Sequence, residues 1–487
     1  MFNKSQIQAI SHMDGPAMVL AGPGSGKTTV ITHRIKNLIE KAEVRPENIL
    51  VVTFTKAAAI SMQKRFSTLM NGGKGQLVTF GTFHSVFYKI LRKSRRYEAT
   101  EILSERQKTD YIREIIGRYG ISSNDISELS QNIINDIGNI KGNMLNAQQY
   151  EPSCCKKEDF IKVYNAYNLE LKKDGKMDFD DILRECYLLL CENHTILEQW
   201  RELYKYILID EFQDINRIQM NIIELLASPL NNIFVVGDDD QSIYRFRGAK
   251  PEIMLGFEKD FPGTKRVLLG TNYRSTKEIV ETSLRLIEHN KVRFEKKLEP
   301  FRGSGRPVDF RVFDNPGHEM DTVAQSIRAY HDAGYAWNEI AVLFRTGANS
   351  GLMAERLMGY NIPFKLRDVI PNLYSHWIAK DLFAYMEIAA GSRKRSDFYR
   401  IMNRPNRYFS RDAFDTPIVS FDRLKSFYQD RDWMEERICD LEADLRAMAS
   451  LKPVAAVNYI RKAIGYDDYL RSYAEFRRMK PEELFET

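Results

Sequence analysis

Residues 18–30 read MVLAGPGSGKTTV, and this stretch decides the fold around it. The apolar residues that end at Leu20 predict a buried strand, residues 22–26 predict a glycine-rich turn, and the spacing of Ile31, Ile35 and Leu38 predicts a helix. A strand, this turn, Gly-Lys-Thr and a helix together form a loop whose backbone N–H groups and helix N-terminus face phosphate oxygens. The sequence therefore predicts a nucleoside triphosphate site.

Each residue type in this loop suits one contact with the triphosphate. Lys27 is placed to reach the β- and γ-phosphates, and the Thr28 hydroxyl is placed to hold Mg²⁺. Ala21 replaces the first glycine of the usual pattern. The predicted nucleotide-binding residues of this stretch are Gly22, Gly24, Ser25, Gly26, Lys27, Thr28 and Thr29.

Length and composition restrict the class of protein. The chain has 487 residues, and a chain of this length forms roughly two to four domains. It has no run of about eighteen apolar residues, so we expect no membrane span. Its five cysteines match no zinc or cluster spacing and predict a reducing, cytoplasmic location.

Charge alone does not identify a partner. The net charge is +5, from 71 basic and 66 acidic residues. Two basic clusters, one from Lys89 to Arg96 and one from Arg393 to Arg411, could contact a phosphate backbone or could simply be solvated faces.

A second apolar run, residues 206–209, ends in Asp210 and Glu211. Adjacent carboxylates after a buried strand form the second half of a P-loop ATPase site. We expect Asp210 to complete the Mg²⁺ shell with Thr28, and Glu211 to activate the attacking water. A third run, residues 233–236, leads to Gln241, which can sense the γ-phosphate.

Aromatic and basic residues follow directly after Gln241. Tyr244 and Phe246 alternate with arginines, of which Arg247 is the second, and such a pattern is typical of loops that stack unpaired bases. Polar and aromatic side chains at other strand-to-helix joints suit the same single strand, although each taken alone could be a core or capping residue. These are Phe54, Thr55, Thr82 and His84.

The order of strand and helix patterns predicts an α/β protein with RecA-like P-loop NTPase motor domains, parallel sheets and helical insertions. We expect residues 1–85 and 178–278 to form the ATP-binding motor domain and residues 86–177 a helical insertion. Residues 279–372 would form part of a second RecA-like domain, with strands at 308–312, 340–345 and 362–366. Residues 373–487 would form a second helical insertion.

In this order, the motifs resemble those of the superfamily 1 DNA helicases of the UvrD/Rep/PcrA type. The matching segments are AGPGSGKT (21–28), TFTKAAA (53–59), GTFHS (81–85), DFDD (178–181), IDEFQD (209–214), GDDDQSIYRFRGA (237–249), NYRS (272–275) and AVLFRT (341–346).

The resemblance implies roles for individual residues. Gln6 would read adenine, Tyr273 would stack on it, and Arg274 would contact the γ-phosphate. Phe54, Tyr244 and Phe246 would form base pockets. The chain departs from the family at Thr29, where relatives often have arginine, at Phe246, where tryptophan is usual, and at Lys56-Ala57, where Asn-Lys is usual.

The resemblance further implies ATP and Mg²⁺ as cofactors and 3′-to-5′ translocation on single-stranded DNA and duplex junctions, with repair or replication proteins as partners. We find neither motif V nor motif VI of the family after Thr346. We therefore expect a shortened chain that binds ATP and single-stranded DNA but hydrolyses slowly and does not unwind.

Three alternatives remain open from the sequence. The chain could be the helicase subunit of a recombinational helicase–nuclease complex, because the TFTKAAA motif is compatible with one. It could be a non-motor module in which ATP only locks the chain onto DNA. A small-molecule P-loop kinase is disfavoured by the aromatic and basic loop at residues 244–247.

Overall fold

The protein is described by a computed structural model. The structure describes residues 2–71, 77–95, 102–121, 123, 126–245, 248–345, 347–367, 374, 376–477 and 481–485. The chain divides into two compact units, residues 1–310 and 311–487.

The first unit is built on a parallel sheet of six strands in the order β3-β2-β4-β5-β1-β6. The strands are β1 (Ala17–Ala21), β2 (Ile49–Thr53), β3 (Thr79–Thr82), β4 (Tyr206–Ile209), β5 (Ile233–Gly237) and β6 (Lys265–Leu269). A two-stranded parallel pair, β7 (Thr271–Asn272) and β8 (Glu299–Pro300), follows. The chain therefore has the α/β fold predicted from its sequence.

The central strands form where the sequence is continuously apolar. Every residue of β1, β2 and β5 is buried, as expected of strands with helices on both faces. The sequence also predicts a strand at residues 76–80; strand β3 begins at Thr79, and residue 76 lies outside the described residues. Because all six strands are parallel, their carboxyl ends meet at one edge of the sheet.

Twelve helices are described in the first unit. They are α1 (Lys4–Ser11), α2 (Lys27–Glu40), α3 (Lys56–Leu69), α4 (Phe83–Arg95), α5 (Glu105–Arg118), α6 (Ile126–Asn143), α7 (Lys157–Lys173), α8 (Phe179–Glu192), α9 (His194–Leu203), α10 (Arg217–Ala227), α11 (Pro251–Asp260) and α12 (Lys277–Ile287).

Helices α5, α6 and α7 share a hydrophobic cluster of their own, centred on Ile112, Ile133 and Phe160. An ionic network joins them to the start of α8. Asp178 accepts hydrogen bonds from Lys141 Nζ at 3.0 Å and from the Tyr167 hydroxyl at 2.9 Å.

In the described residues of the second unit, the regular elements are helices joined by loops. Its helices are α13 (Pro316–Asp332), α14 (Ala348–Gly359), α15 (Trp377–Ala389), α16 (Arg395–Ile401), α17 (Phe421–Phe427), α18 (Asp432–Met448), α19 (Pro453–Lys462), α20 (Tyr466–Arg477) and α21 (Pro481–Phe485). Helices α15–α21 share one core around Tyr385 and Ile438.

The strands predicted at 308–312, 340–345 and 362–366 are wrong: the described residues of these segments are not assigned to strands. A strand needs a hydrogen-bonded neighbour, and the interior of a sheet buries its apolar side chains. Here the side chains of Phe310 and Leu343 are 87% and 91% exposed.

Across the described ranges, the helices are all too short or too polar to cross a bilayer.

Candidate nucleotide and nucleic-acid site

The turn between β1 and α2 is shaped by two glycines with positive φ, +67° at Gly24 and +89° at Gly26. Gly26 caps α2 without a side-chain hydrogen bond, so the first turn of the helix presents its N–H groups to a ligand. Ser25 fixes the turn, because its hydroxyl donates to the Gly22 carbonyl at 2.7 Å. Lys27 and Thr28 are partly buried at the start of α2, and Thr29 is exposed.

Both carboxylates predicted for catalysis lie at the end of β4, opposite this turn. Lys27 Nζ lies 2.8 Å from Glu211 Oε2. Glu211 has a φ of +52°, a left-handed conformation that non-glycine residues rarely adopt. The structure therefore brings Lys27, Asp210 and Glu211 together as the sequence predicts.

Burial and neighbouring charge separate the two carboxylates electrostatically. Burial, together with the Glu211 charge, raises the pKa of Asp210 to about 6. Burial opposes ionisation of Glu211 as well, but the Lys27 ammonium and hydrogen bonds from Gln213 and Lys27 lower the pKa of Glu211 below its usual value. At neutral pH both are carboxylates.

Asp210 and Thr28 fit a Mg²⁺ ion in their chemistry. Both offer oxygen ligands, and Asp210 is a buried carboxylate whose charge is disfavoured unless a cation lies near it. Among the described residues, no cluster of three or more His, Cys, Asp or Glu side chains could hold a metal. Mg²⁺ keeps several waters and binds substrate phosphates, so one carboxylate and one hydroxyl are sufficient.

A chain of hydrogen bonds runs from the carboxylates to Gln241. Gln213 Nε2 donates to Glu211 Oε2 at 3.0 Å, and Gln213 Oε1 accepts from the Asp238 backbone N–H at 3.0 Å. Asp238 Oδ2 in turn accepts from Gln241 Nε2 at 2.7 Å. Gln213 and Asp238 were not assigned roles from the sequence, although both lie in quoted motifs.

Gln6 and Tyr273, the residues predicted to bind adenine, both contact the phosphate loop. Gln6 is buried, and its Nε2 donates to the Ser25 carbonyl at 3.1 Å. Asn3 connects this region to the NYRS segment, because its side-chain amide donates to the Tyr273 hydroxyl at 2.9 Å. The Tyr273 ring lies 4.9 Å from that of Phe301. Asn3 and Phe301 were missed at the sequence level.

The NYRS segment lies directly against the loop. The Tyr273 backbone N–H donates to the Gly24 carbonyl at 3.0 Å. A Cβ on Gly24 would lie 2.7 Å from Arg274 Cβ and 2.9 Å from Asn272 Oδ1. Arg274 is exposed beside this contact.

At the same edge of the sheet, the predicted base-binding rings come together in part. Phe54 and Tyr244 are stacked, with centroids 5.1 Å apart and an interplanar angle of 25°. Phe246 and Arg247 lie outside the described residues. The far end of this loop is held by the insertion, since Asn143 Nδ2 donates to the Gly248 carbonyl at 3.1 Å.

The remaining predicted DNA residues also take part in local structure. The Thr55 hydroxyl caps α3 by accepting from the Ala58 N–H at 3.1 Å, and the Thr82 hydroxyl accepts from the Ser85 N–H at 3.3 Å. His84 contacts the Phe179 ring edge-on at 5.9 Å. Burial lowers the pKa of His84 against the pull of two nearby aspartates, so this imidazole is neutral at pH 7.

The two basic clusters differ in exposure. In the first, Lys89, Arg92 and Lys93 are exposed on α4, and Arg96 lies outside the described residues. In the second, three arginines point inward because they have partners. Arg400 and Arg404 contact the buried Asp381, and Arg407 donates to the Tyr385 hydroxyl at 2.9 Å. The exposed cations of this cluster are Arg393, Lys394, Arg395 and Arg411.

Comparison with known proteins gives consistent matches along the chain. Residues 2–262 match the UvrD/REP helicase N-terminal domain, and residues 267–435 match the UvrD-like helicase C-terminal domain.

Individual relatives support the same family. The chain is 33% identical to the putative ATP-dependent DNA helicase YjcD of Bacillus subtilis, over 96% of this chain and 63% of that protein. It is 33% identical to the ATP-dependent DNA helicase PcrA of Staphylococcus epidermidis, over 83% of this chain and 56% of that protein. It is 32% identical to PcrA of Leuconostoc citreum, over 83% and 55%.

The chain thus spans less than two thirds of the length of these relatives. The chain belongs to the UvrD/REP helicase family.

Proposed function

We propose that this chain is the ATP-binding part of an ATP-dependent DNA helicase that moves 3′ to 5′ along single-stranded DNA. One observation carries the proposal: a hydrogen-bonded path leads from Lys27 and Glu211 through Gln213 and Asp238 to Gln241, three residues before the Phe54–Tyr244 stack. Gln241, which we assign to the γ-phosphate, and Tyr244, which we assign to base stacking, therefore lie on one loop. The direction of movement is inferred from the family resemblance.

The residues act in a definite order. Phosphate oxygens replace Glu211 as the partner of Lys27, and the released carboxylate takes a proton from the attacking water. Thr28 and Asp210 would hold Mg²⁺, which neutralises charge on the β- and γ-phosphates. Gln241 and Arg274 would then contact the γ-phosphate, while Gln6 and Tyr273 hold the base. The remaining contacts to the phosphates come from Gly22, Gly24, Ser25, Gly26 and Thr29.

The DNA strand would cross the carboxyl edge of the sheet. Bases would stack against Phe54 and Tyr244, and each stacked base contributes about 1–3 kcal/mol. The family resemblance adds Phe246 and Arg247, which lie outside the described residues, as DNA contacts. Thr55, Thr82 and His84 would contact the backbone or bases beyond them. Duplex junctions would meet the same surface, and repair or replication proteins would supply the loading step.

The domain division is also part of this proposal. Residues 1–85 and 178–278 would be the ATP-binding motor domain and 86–177 its insertion, which the separate core of α5–α7 supports. Residues 279–372 would be part of a second motor domain and 373–487 a second insertion. We place the protein in the cytoplasm, because its five cysteines are free.

Turnover tests the assignment of Glu211. The variant Glu211→Gln should abolish phosphate release in the presence of oligo-dT while ATP affinity, measured by titration calorimetry, stays within about threefold of wild type. The exposed Glu202→Gln serves as the matched control and should behave as wild type. Persistent phosphate release by Glu211→Gln would show that another group activates the water.

A further inference from the structure

The segment 293–301 lies on three parts of the nucleotide site. It follows α12 and includes β8. Leu298 packs against the phosphate loop so closely that a Cβ on Gly22 would lie 2.5 Å from Leu298 Cδ2. The Phe301 N–H donates to the Asn272 carbonyl at 2.8 Å, and its ring contacts Tyr273. No role for this segment was predicted from the sequence.

Its most unusual residue is Lys296, whose side chain is completely buried. Lys296 Nζ lies 2.5 Å from Asp238 Oδ1, 2.6 Å from Asp239 Oδ1 and 2.7 Å from Asp240 Oδ2. Arg293 adds two hydrogen bonds to Asp240, at 2.7 and 2.6 Å. Three carboxylates thus surround one buried ammonium, with a second cation at the rim.

This cluster depends on its cations. Burial opposes a charge on Lys296, but Asp238 and the hydrogen bonds to the three carboxylates raise its pKa, so it stays charged. Removing one partner of a buried ion pair leaves uncompensated charge, and here three carboxylates would face each other. Their repulsion would change the shape of the loop that carries them.

Asp238 connects the cluster to catalysis. One oxygen, Oδ1, accepts from Lys296, and the other, Oδ2, accepts from the Gln241 side chain at 2.7 Å. The Asp238 N–H donates to Gln213, which also contacts Glu211. The orientation of this one carboxylate therefore determines where the Gln241 amide points.

We propose that Lys296 is a positioning residue for γ-phosphate recognition: by fixing Asp238, it holds Gln241 at the place where a γ-phosphate binds beside Lys27. This inference rests on the proposed function. A purely structural lysine would affect all nucleotides equally, whereas Lys296 acts only on the contact that ATP makes and ADP lacks.

The test compares the binding of two nucleotides with and without the γ-phosphate. Dissociation constants for ATPγS and ADP, each with Mg²⁺, are measured by titration calorimetry on folded wild type and variants. We expect Lys296→Met to reduce the preference for ATPγS over ADP by about tenfold and to leave the ADP constant within about twofold. Lys296→Arg keeps the charge and should restore most of the preference.

The neighbouring Lys297 gives a matched control. Its side chain is 85% exposed and reaches only to Glu299 among the described ion pairs, so Lys297→Met should bind both nucleotides as wild type does. If Lys296→Met does not fold, the double variant Lys296→Met/Asp239→Asn removes one of the repelling charges. It should fold and still lack the preference.

Two results would overturn the role of Lys296: an unchanged preference in a folded variant, or equal loss of affinity for both nucleotides. Failure of the wild-type chain to bind either nucleotide is a different result. It would overturn the proposed function itself, and the inference about Lys296 with it.

Discussion

At the scale of single residues, the site is defined by backbone geometry as much as by charge. Glu211 is held at a φ of +52° while it contacts both Lys27 and Gln213. Such conformations persist only where surrounding contacts enforce them, and they are common at functional sites. The strain lies at the residue that we assign to water activation.

Gly24 offers the sharpest residue-scale prediction. An alanine there would place its Cβ 2.7 Å from Arg274 Cβ, so Gly24→Ala should push the NYRS segment away and weaken ATPγS binding by about tenfold or more. Titration calorimetry measures the affinity, and urea denaturation measures the stability.

Gly15→Ala is the matched control, because Gly15 has a φ of +80° but no heavy atom within 4 Å of its Cβ position. This variant should be less stable to unfolding by about 1–2 kcal/mol, the cost of placing alanine in a left-handed conformation. Its affinity for nucleotide should equal that of wild type. Equal effects of the two substitutions on binding would contradict the proposed contact.

The sequence predicted residues whose role is carried by a local pattern, and missed those whose role depends on a distant partner. Lys27, Asp210 and Gln241 follow recognisable strand ends. Lys296 is one of two adjacent lysines, 55 positions after Gln241, and nothing near it in the chain reveals its three aspartate partners. For the same reason Arg407, counted with a basic cluster, proved to be buried.

At the scale of elements, the start of α8 is where the inserted helices attach. Asp178 caps α8, accepting from the Asp181 N–H at 2.8 Å, and also holds Lys141 of α6 and Tyr167 of α7. Burial opposes ionisation, but Lys141 and Lys108 lower the pKa of Asp178 well below its usual range. One carboxylate therefore joins four helices, since Lys108 belongs to α5.

Replacing Asp178 by Asn should destabilise the first unit by about 1–3 kcal/mol at pH 7, because Lys141 and Lys108 each lose one of two carboxylate partners and keep only Asp181 and Asp180. A carboxylate with a lowered folded-state pKa stabilises the fold above its unfolded pKa, about 4, and the contribution is lost as the pH falls through the lower folded value. The difference between wild type and variant should therefore shrink below about pH 4. Urea denaturation across pH measures it.

Asp180→Asn provides the comparison, since Asp180 is more exposed and its described ion pair is to Lys108 alone. We expect a loss of about 1 kcal/mol or less, with little dependence on pH. A loss as large as that of Asp178→Asn would mean that Lys108, rather than the shared carboxylate, holds the helices.

Strands were predicted correctly where the sequence is continuously apolar. They were predicted wrongly where a strand would need a hydrogen-bonded neighbour that is distant in the chain. The runs at 49–52 and 233–236 are apolar at every position, and both lie in strands. The run at 308–312 instead alternates apolar and polar residues, and its strand character depends on neighbours that no local pattern specifies. Apolar composition alone does not supply a hydrogen-bonding partner.

At the scale of the whole molecule, each unit has a hydrophobic core of its own. We expect calorimetry to show two unfolding transitions. ATPγS with Mg²⁺ should raise the unfolding temperature of residues 1–310 only. The free energy of unfolding of this unit should rise by about 2.7 kcal/mol when free nucleotide is about 100 times its dissociation constant. A single transition, or an equal shift of both, would contradict this prediction.

The bond between Asn143 and Gly248 has a mechanical consequence. It ties the last turn of α6 to the loop that carries Gln241 and Tyr244. A force on helices α5–α7, from a bound protein or from a DNA strand under tension, would be transmitted to the proposed nucleotide site. Force on the proposed insertion would then change the rate of ATP hydrolysis.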